Sequence, residues 1–232
     1  MIKRFARYVL TPWLWGYSSA EHGLGRMSWS QFGEDLLIAG IFSDLREGFY
    51  VDVGAFHPLY LSNTYGLYRK GWSGIAIDAN ASMLEFFAKI RPRDVSIHSA
   101  VCSREGVVKI TTFEQGAFNC LAEHAGNVPE QFRRGASTSD VQSKSLAKIL
   151  DQNAVGHVDL LNIDCEGSDM EILESNDWAR WRPSVICIED HAEDWQSSAV
   201  AGFLEGKGYT LIYRVGLSSL YQLVTGSSVH GR

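Results

Sequence analysis

Short apolar runs alternate along the chain with segments whose apolar residues recur at helical spacing. The apolar runs, which are typical of buried parallel strands, span residues 49–53, 74–78, 95–101, 158–164 and 185–189. The segments with helical spacing span residues 30–45, 62–68, 82–90, 169–173 and 199–204. This alternation predicts an α/β protein with a doubly wound, mostly parallel sheet that carries helices on both faces.

Three stretches depart from the alternation. Residues 210–215 and 220–224 have no helix between them and predict an antiparallel pair at the C-terminal edge of the sheet. Residues 107–113 alternate apolar and polar side chains and predict a further strand. Residues 115–143 show little periodicity, which predicts a long insertion. We expect this insertion to act as a lid over an acceptor, or as a contact between the subunits of a homodimer.

The same patterns divide the chain into an N-terminal arm over residues 1–29, a domain over residues 30–226 and a tail over residues 227–232. The arm combines basic residues with tryptophans, among them Lys3, Arg4, Arg7, Trp13 and Trp15. Its run of apolar residues is too short to span a bilayer. The favoured interpretation is an arm packed on the domain or on a second subunit, and the alternative is peripheral contact with a membrane.

Composition and charge restrict the class of protein. Hydrophobic residues make up 45% of the 232 residues, as expected for a globular domain. The net charge is −6 and the pI is about 5.6, which argues against a nucleic-acid partner. The four cysteines form no CxxC pair and predict buried thiols in a reducing compartment. We therefore expect a cytoplasmic protein, with the inner face of the membrane as the alternative for the arm.

Acidic residues occur where the predicted parallel strands end. Asp52 lies near the end of the first strand, Asp78 ends the second, Asp164 the fourth, and Glu189 and Asp190 the fifth. Ligands of such sheets bind beyond the carboxyl ends of the strands. An acid at the end of the second strand can accept both ribose hydroxyls, although a capping role for it is equally compatible with the sequence.

The glycine pattern restricts the classes of ligand that the protein can bind. Gly54 follows the first strand, but neither a GxGxxG fingerprint nor a GxxxxGK[ST] phosphate loop is present. The sequence therefore argues against NAD and NTP enzymes and favours a ligand that carries adenosine without phosphates.

An ordered set of motifs resembles the FkbM-type methyltransferases. The motifs are SQFGED (30–35), FYVDVGA (49–55), SNT (62–64), GWSGIAIDAN (71–80), RP (91–92), LNIDCEG (161–167), RP (182–183) and IEDH (188–191). The resemblance implies a Rossmann-like, class I methyltransferase fold with S-adenosylmethionine as methyl donor. It also implies O-methylation of an acceptor such as a sugar in a glycan or a glycosylated metabolite, as in polysaccharide biosynthesis. The alternatives are a non-sugar small-molecule acceptor and an inactive, methyltransferase-like binding protein.

The resemblance assigns residues to the cofactor. Asp52, Gly54 and Ala55 would line the methionine part, Asp78 would hold the ribose, and Ser99 and Ala100 would flank the adenine. The full set of expected cofactor residues is Gln31, Asp52, Gly54, Ala55, Asn63, Thr64, Asp78, Ala79, Ser99, Ala100 and Asp164. For Gln31 and its neighbour Glu34, a helix start is the alternative role.

Methyl transfer to a hydroxyl needs alignment and a means of removing a proton. His191, Asp164 and Glu189 are the expected catalytic residues, with His191 as base and His57 as second candidate; His98 is expected in the core. Three carboxylates, Asp164, Glu189 and Asp190, would suit Mg²⁺; the alternative is that Glu166 and Glu189 only orient backbone amides and the helix start at Asp169. The aromatic and basic side chains of the insertion would contact a sugar or an anionic acceptor; they include Phe118, Phe132, Arg133 and Arg134.

Overall fold

A seven-stranded sheet forms the centre of the protein in the computed structural model, which describes residues 27–224. The strands are β1 (Phe49–Val53), β2 (Ser73–Asp78), β3 (Val95–His98), β4 (Ala100–Val101), β5 (Gly106–Thr112), β6 (Cys120–Leu121), β7 (Ser137–Lys144), β8 (Leu160–Ile163), β9 (Val185–Glu189), β10 (Tyr209–Val215) and β11 (Ser218–Leu223). The α-helices are α1 (Glu34–Ile41), α2 (Tyr65–Arg69), α3 (Ala81–Ile90), α4 (Leu146–Gln152), α5 (Asp169–Glu174) and α6 (Ala199–Gly206).

The strand order of this sheet is β10-β11-β9-β8-β1-β2-β3. The five strands from β9 to β3 are parallel, and β11 runs antiparallel to both β9 and β10. The fold is therefore the predicted Rossmann-like, doubly wound sheet with an antiparallel C-terminal edge. The chain leaves β1 toward β2 on one side and returns to β8 on the other. The switch point thus lies between β1 and β8, where such sheets bind ligands.

Helices cover both faces of the sheet. On one face, α4, α5 and α6 pack Leu146, Ile172 and Leu204 against Val51 and Val53 of β1 and their neighbours. On the other face, α1 and α2 pack against the side of β1 that carries Tyr50. Successive residues of a strand face opposite sides. Asp52 therefore belongs to the second face, together with Tyr50.

A second sheet, of order β4-β7-β5-β6, contains much of the predicted insertion. The expectation of an aperiodic segment over residues 115–143 was wrong for β7, which pairs with all of β5 from Gly106↔Ser143 to Thr112↔Ser137. Only Val141 and Ser143 of β7 are buried. Because its remaining side chains face solvent, the strand carries almost no apolar signal in the sequence.

The predicted third strand is interrupted at Ser99. Residues Val95–His98 belong to the large sheet, whereas Ala100–Val101 join the second sheet. The expectation that His98 packs in the core was wrong: its side chain is exposed, with Nε2 2.9 Å from the carbonyl oxygen of Ala79.

Helix α1 begins later than the sequence pattern indicates. The Ser30 hydroxyl accepts the N–H groups of Gly33 and Asp35, which closes a turn before the helix. Gly33 then adopts a left-handed conformation with φ of 93°, so regular helix begins at Glu34. Three cysteines are buried as predicted, whereas Cys165 is half-buried.

The expectations for residues 1–26 and 225–232, including membrane contact by the arm, lie outside the described residues. Within residues 27–224, no helix is both long and apolar enough to cross a membrane.

Candidate functional site

Two adjoining cavities open at the carboxyl ends of β1 and β8. One is a narrow slot beside β2, and the other is a cavity of about 620 Å³. They share the lining residues Gly54, Phe56, Gly116, Ala117 and Asp164, and therefore form one continuous cleft. The cleft lies at the switch point of the large sheet, where the strand order predicts a ligand site.

Two acidic residues, Asp78 and Asp164, line the slot within largely apolar walls. Ile77, Val101 and Leu121 line it together with Asp78. The Asp78 carboxylate accepts the N–H groups of Phe56 at 2.8 Å and Asn80 at 2.7 Å, one on each oxygen. Burial raises the pKa of Asp78, and these two hydrogen bonds oppose the shift. Each oxygen retains a lone pair, so the carboxylate can accept two further hydroxyl donors.

Gly54 allows the two central strands to approach closely at the cleft. Its φ is 75°, and a Cβ built on it would lie 1.8 Å from the carbonyl oxygen of Asp164 and 2.9 Å from the Cys165 sulfur. Any side chain at this position would therefore displace the turn after β8 and fill the junction of slot and cavity.

Eight of the expected cofactor residues line the cleft: Gly54, Asp78, Ala79, Ser99, Ala100 and Asp164 in the slot, and Gln31 and Asn63 in the larger cavity. Asp52, Ala55 and Thr64 line neither cavity, which corrects their expected cofactor contacts. Ala55 packs with Ala76, Leu84 and Phe87 under α3. Asp52 is buried on the opposite side of β1 from Val51 and Val53, because side chains alternate along a strand. Thr64 is buried beside Asp52 and donates a hydrogen bond to it.

Asp52 belongs to a buried polar network behind the cleft. Its carboxylate accepts the Thr64 hydroxyl at 2.6 Å and the Asn162 amide at 2.8 Å. The Asn162 side-chain oxygen in turn accepts the amide of Asn63 at 2.9 Å. Asp52 thus orients a cavity residue, Asn63, through one intervening side chain, while burial raises the pKa of Asp52 itself.

Arg91 completes this network from the position that follows the last residue of α3. The side chain is fully buried and donates to the Pro58 carbonyl at 2.7 Å and to the hydroxyls of Ser62 and Thr64. These bonds fix both ends of residues 58–64. That segment supplies Tyr60, Leu61 and Asn63 to the wall of the larger cavity.

Three carboxylates and one imidazole also line the larger cavity. We define this acidic wall as Asp164, Glu166, Glu189 and His191, all of which line the cavity. Burial and the neighbouring Glu189 charge raise the pKa of Asp164 well above its ordinary value. The same two causes raise the pKa of Glu166 to about 7. Close contact with Glu189 raises the pKa of His191 to about 9, against the effect of partial burial.

The Glu189 carboxylate has an oxygen with no hydrogen-bond donor aligned to it. Oε2 is buried and accepts no hydrogen bond among the described residues, although the His191 Nε2 atom lies 3.0 Å away. The residue as a whole is 9% exposed. The charge of Glu189 is therefore compensated by His191, and the residue lines the larger cavity.

Asp190 points away from the acidic wall, which corrects its expected place in a metal site. Its carboxylate accepts the Ser198 hydroxyl at 2.5 Å and the N–H of Ala192 at 3.0 Å. Glu189 and Asp190 are consecutive, so their side chains leave the backbone in opposite directions. The ligand atoms that do converge, within 4.8 Å of one another, belong to Glu166, Glu189 and His191.

Two further candidates are engaged elsewhere. His57 Nδ1 accepts the N–H groups of Leu59 and Tyr60, and the residue lines neither cavity, so its expected role as second base is not supported by position. The guanidinium of Arg133 donates to the carbonyls of Gly126 and Val128 within the insertion. Arg133 and Arg134 also line neither cavity, against the expectation of contact with an anionic acceptor.

Several lining residues were not expected from the sequence as part of the site, among them Phe56, Tyr60, Leu61, Glu114, Glu166 and Cys165. Three of them, Phe56, Leu61 and Glu166, have positive φ angles of 46°, 53° and 48°. Strained backbone of this kind clusters at functional sites. Only for Glu166 does the sequence carry a signal, because it precedes Gly167 in the turn that follows β8.

The chain is similar to known proteins in sequence and in fold. The sequence profile of the methyltransferase FkbM domain matches residues 52–211, which is more than half of the chain. No curated protein sequence matches the chain. Similar solved structures include a candidate RNA methyltransferase from Pyrococcus horikoshii, with a TM-score of 0.44 and 10% identity over 88% of this chain and 90% of that one. Another is precorrin-6y C5,15-methyltransferase from Geobacter metallireducens, with a TM-score of 0.41 and 13% identity over 84% of this chain and 89% of that one.

Proposed function

The chain belongs to the FkbM methyltransferase family, and from this premise we propose that it methylates a hydroxyl oxygen of a sugar, in a glycan or a glycosylated metabolite. The family implies S-adenosylmethionine as the donor, which supplies a methyl group activated on a sulfonium sulfur. The observation that carries the choice of a hydroxyl acceptor is the acidic wall, because a hydroxyl nucleophile must lose its proton as the new bond forms.

The cleft fits an adenosine-bearing cofactor. The slot gives a planar base apolar walls from Val101 and Leu121, and Asp78 offers free lone pairs to ribose hydroxyls. Gly54 keeps the passage from the slot to the larger cavity open, since any Cβ there would meet Asp164. The amino-acid part of the cofactor would then extend toward Asp164, Gln31 and Asn63 in the larger cavity.

Glu189 is the best-placed group to receive the hydroxyl proton. It lines the larger cavity, and His191 Nε2 lies 3.0 Å from its Oε2 atom to balance the carboxylate charge before the transfer. Holding the hydroxyl against this carboxylate would also orient it for in-line attack, which is the larger part of catalysis in a displacement reaction.

Aromatic side chains on the other side of the cavity suit a sugar ring. Phe118 and Phe132 stack with their ring centroids 4.4 Å apart, and Phe56 and Tyr60 line the same cavity. The C–H faces of a pyranose pack against aromatic rings, while its hydroxyls can bond to Gln31 and Asn63.

Mg²⁺ fits the described residues poorly. The expected set of three carboxylates is incomplete without Asp190, and the atoms that do converge include an imidazole nitrogen, whereas Mg²⁺ prefers an octahedron of oxygens. We therefore derive no step through this ion. Exhaustive chelation should leave the rate of methyl transfer unchanged, and a lost rate that Mn²⁺ or Mg²⁺ restores would contradict this expectation.

The experiment that tests the proposal has two stages. Calorimetric titration with S-adenosylhomocysteine should show binding to the full chain, and the Asp78→Ala variant should bind far less. Mass spectrometry of reactions with a panel of neutral, amine-bearing and anionic glycosides should then show a mass increase of one methyl group on an acceptor oxygen. A chain that binds no S-adenosylhomocysteine would be an inactive member of the family. Methylation at nitrogen or carbon would contradict the choice of a hydroxyl.

A further inference from the structure

The larger cavity carries a marked imbalance of charge. Five carboxylate residues line it, namely Glu34, Glu114, Asp164, Glu166 and Glu189. Neither Lys nor Arg occurs among the described residues that line either cavity, and His191 is the one residue there that can carry positive charge. A negatively charged acceptor, such as a sugar nucleotide or a uronic acid, would be repelled by this lining.

Two of these carboxylates already have partners in the protein. Glu34 accepts the N–H of Phe32 and the hydroxyl of Ser218, and Glu189 faces His191. Glu114 is the exposed carboxylate among the five, and its side chain makes no hydrogen bond or ion pair with any of residues 27–224. Its carboxylate is thus free to pair with a cation brought by a ligand.

The backbone holds Glu114 at the end of the cavity that carries the aromatic pair. The Glu114 N–H donates to the Arg134 carbonyl, and the Asn119 side chain accepts the N–H of Phe113, which closes residues 113–119 into a loop. Phe118 belongs to this loop and stacks on Phe132. A carboxylate and stacked aromatic rings in one cavity wall are the groups that recognise an ammonium ion.

A second observation points to a ligand in the same cavity. Glu189, a residue that is 9% exposed, lines the cavity with its charge balanced by His191, whose Nε2 lies 3.0 Å from Oε2. A hydroxyl placed on the Glu189 carboxylate and a cation placed on Glu114 would both lie in one cavity of about 620 Å³.

We propose that the acceptor is an amino sugar whose protonated amine pairs with Glu114 and lies against Phe118 and Phe132, while the hydroxyl to be methylated bonds to Glu189. This inference rests on the proposed function and names its substrate class. It also assigns specificity to Glu114, a cavity residue outside the acidic wall that carries the chemistry.

The test compares a glycoside with and without its positive charge. Calorimetry on the full chain, saturated with S-adenosylhomocysteine, would use methyl glucosaminide at mildly acidic pH and its N-acetyl derivative, which is neutral. We expect the amine form to bind about tenfold more tightly or better. The preference should weaken as the salt concentration rises, because the pair is partly exposed.

A matched pair of variants assigns the preference to one carboxylate. Glu114→Gln should remove most of the preference by weakening the binding of the amine form alone. Glu130→Gln makes the same chemical change in an exposed residue of the insertion that does not line the cavity, and it should keep the full preference.

Equal binding of the two glycosides, binding of neither, or tighter binding of a glucuronide would each overturn the inference. The proposed function is judged separately, in the same samples, by binding of S-adenosylhomocysteine and by methylation of any glycoside in the panel. A chain that methylates neutral glycosides without preferring the amine form would keep the function and lose the inference.

Discussion

Two aspartates at neighbouring strand ends have opposite roles because of where their side chains point. Asp78 ends β2 and reaches the slot, whereas Asp52 lies within β1 and turns into the buried network with Thr64 and Asn162. Both residues are aspartates, and each lies at or next to the last residue of a parallel strand. The direction of the side chain decides which aspartate contacts a ligand and which supports the fold.

Because the two roles differ, replacing each aspartate with asparagine should lower a different quantity: the cofactor affinity for Asp78 and the free energy of unfolding for Asp52. Asp78→Asn should weaken binding of S-adenosylhomocysteine about tenfold to a hundredfold, because a charged acceptor of ribose hydroxyls is lost. Asp52→Asn should change that affinity much less, because Asp52 reaches the cavity only through Asn162 and Asn63, and it should lower the free energy of unfolding by about 1–3 kcal/mol, because an amide cannot satisfy both of its buried donors. Calorimetry and urea unfolding measure the two quantities. The reverse assignment of losses would contradict the geometry.

Substitutions in the acidic wall should lower kcat and leave the affinity for the cofactor nearly unchanged. Glu189→Gln should lower kcat about a hundredfold or more, because the proton acceptor is removed, while the affinity for S-adenosylhomocysteine stays within about twofold. His191→Gln should lower kcat less, since it removes only the balancing charge. Single-turnover rates beside calorimetry give both values for each variant. A Glu189→Gln enzyme with the original kcat would exclude this residue as the base.

At the scale of elements, the turn after β1 and the turn after β8 meet without space for a side chain. Gly54→Ala must move the backbone of Asp164, so we expect the free energy of unfolding to fall by about 3 kcal/mol. Gly40→Ala is the matched control: its Cβ would meet nothing within 4 Å in α1, and the better helix propensity should raise stability by about 0.5–1 kcal/mol. Urea unfolding of both variants checks the contrast, and equal effects would contradict it.

The sequence predicts the elements of the large sheet better than those of the second sheet. The buried strand β9 was predicted over its observed residues, Val185–Glu189, because all of its side chains are buried and apolarity marks it fully. Strand β7 was missed because two of its eight side chains are buried. The second sheet also changes the role of the insertion. Leu121 of β6 lines the slot, so the insertion lines both the slot proposed for the cofactor and the cavity proposed for the acceptor.

At the scale of the whole molecule, buried acids make stability depend on pH. The folded-state pKa values of Asp94 and Asp169 are raised to about 6 and that of Glu166 to about 7, chiefly by burial. The folded protein therefore holds protons that the unfolded chain has already released. Each group stabilises the fold at low pH, and this contribution is lost as the pH rises from the unfolded pKa to the folded one.

We expect the free energy of unfolding to fall by a few kcal/mol between about pH 4 and pH 7. Urea unfolding across this range measures it. The Asp94→Asn variant, which cannot ionise and keeps an acceptor for only one of Tyr50 and Gly74, should be less stable at pH 4 and show a smaller fall. A stability that rises steadily across the same range would contradict the assignment of raised pKa values.

The sequence by itself determined the α/β alternation, the antiparallel C-terminal edge, the family and the acidic residues near the strand ends. The interior strands can be predicted because their buried side chains are apolar. The family and the acidic residues can be read from local motifs, such as LNIDCEG at residues 161–167. Only the tertiary structure decided which acids share a wall. Whether Asp190 or Glu166 joins Glu189 depends on the alternation of side chains along β9 and on a left-handed turn after β8. The packing of distant segments against one another fixes those directions, and no local pattern in the sequence encodes them.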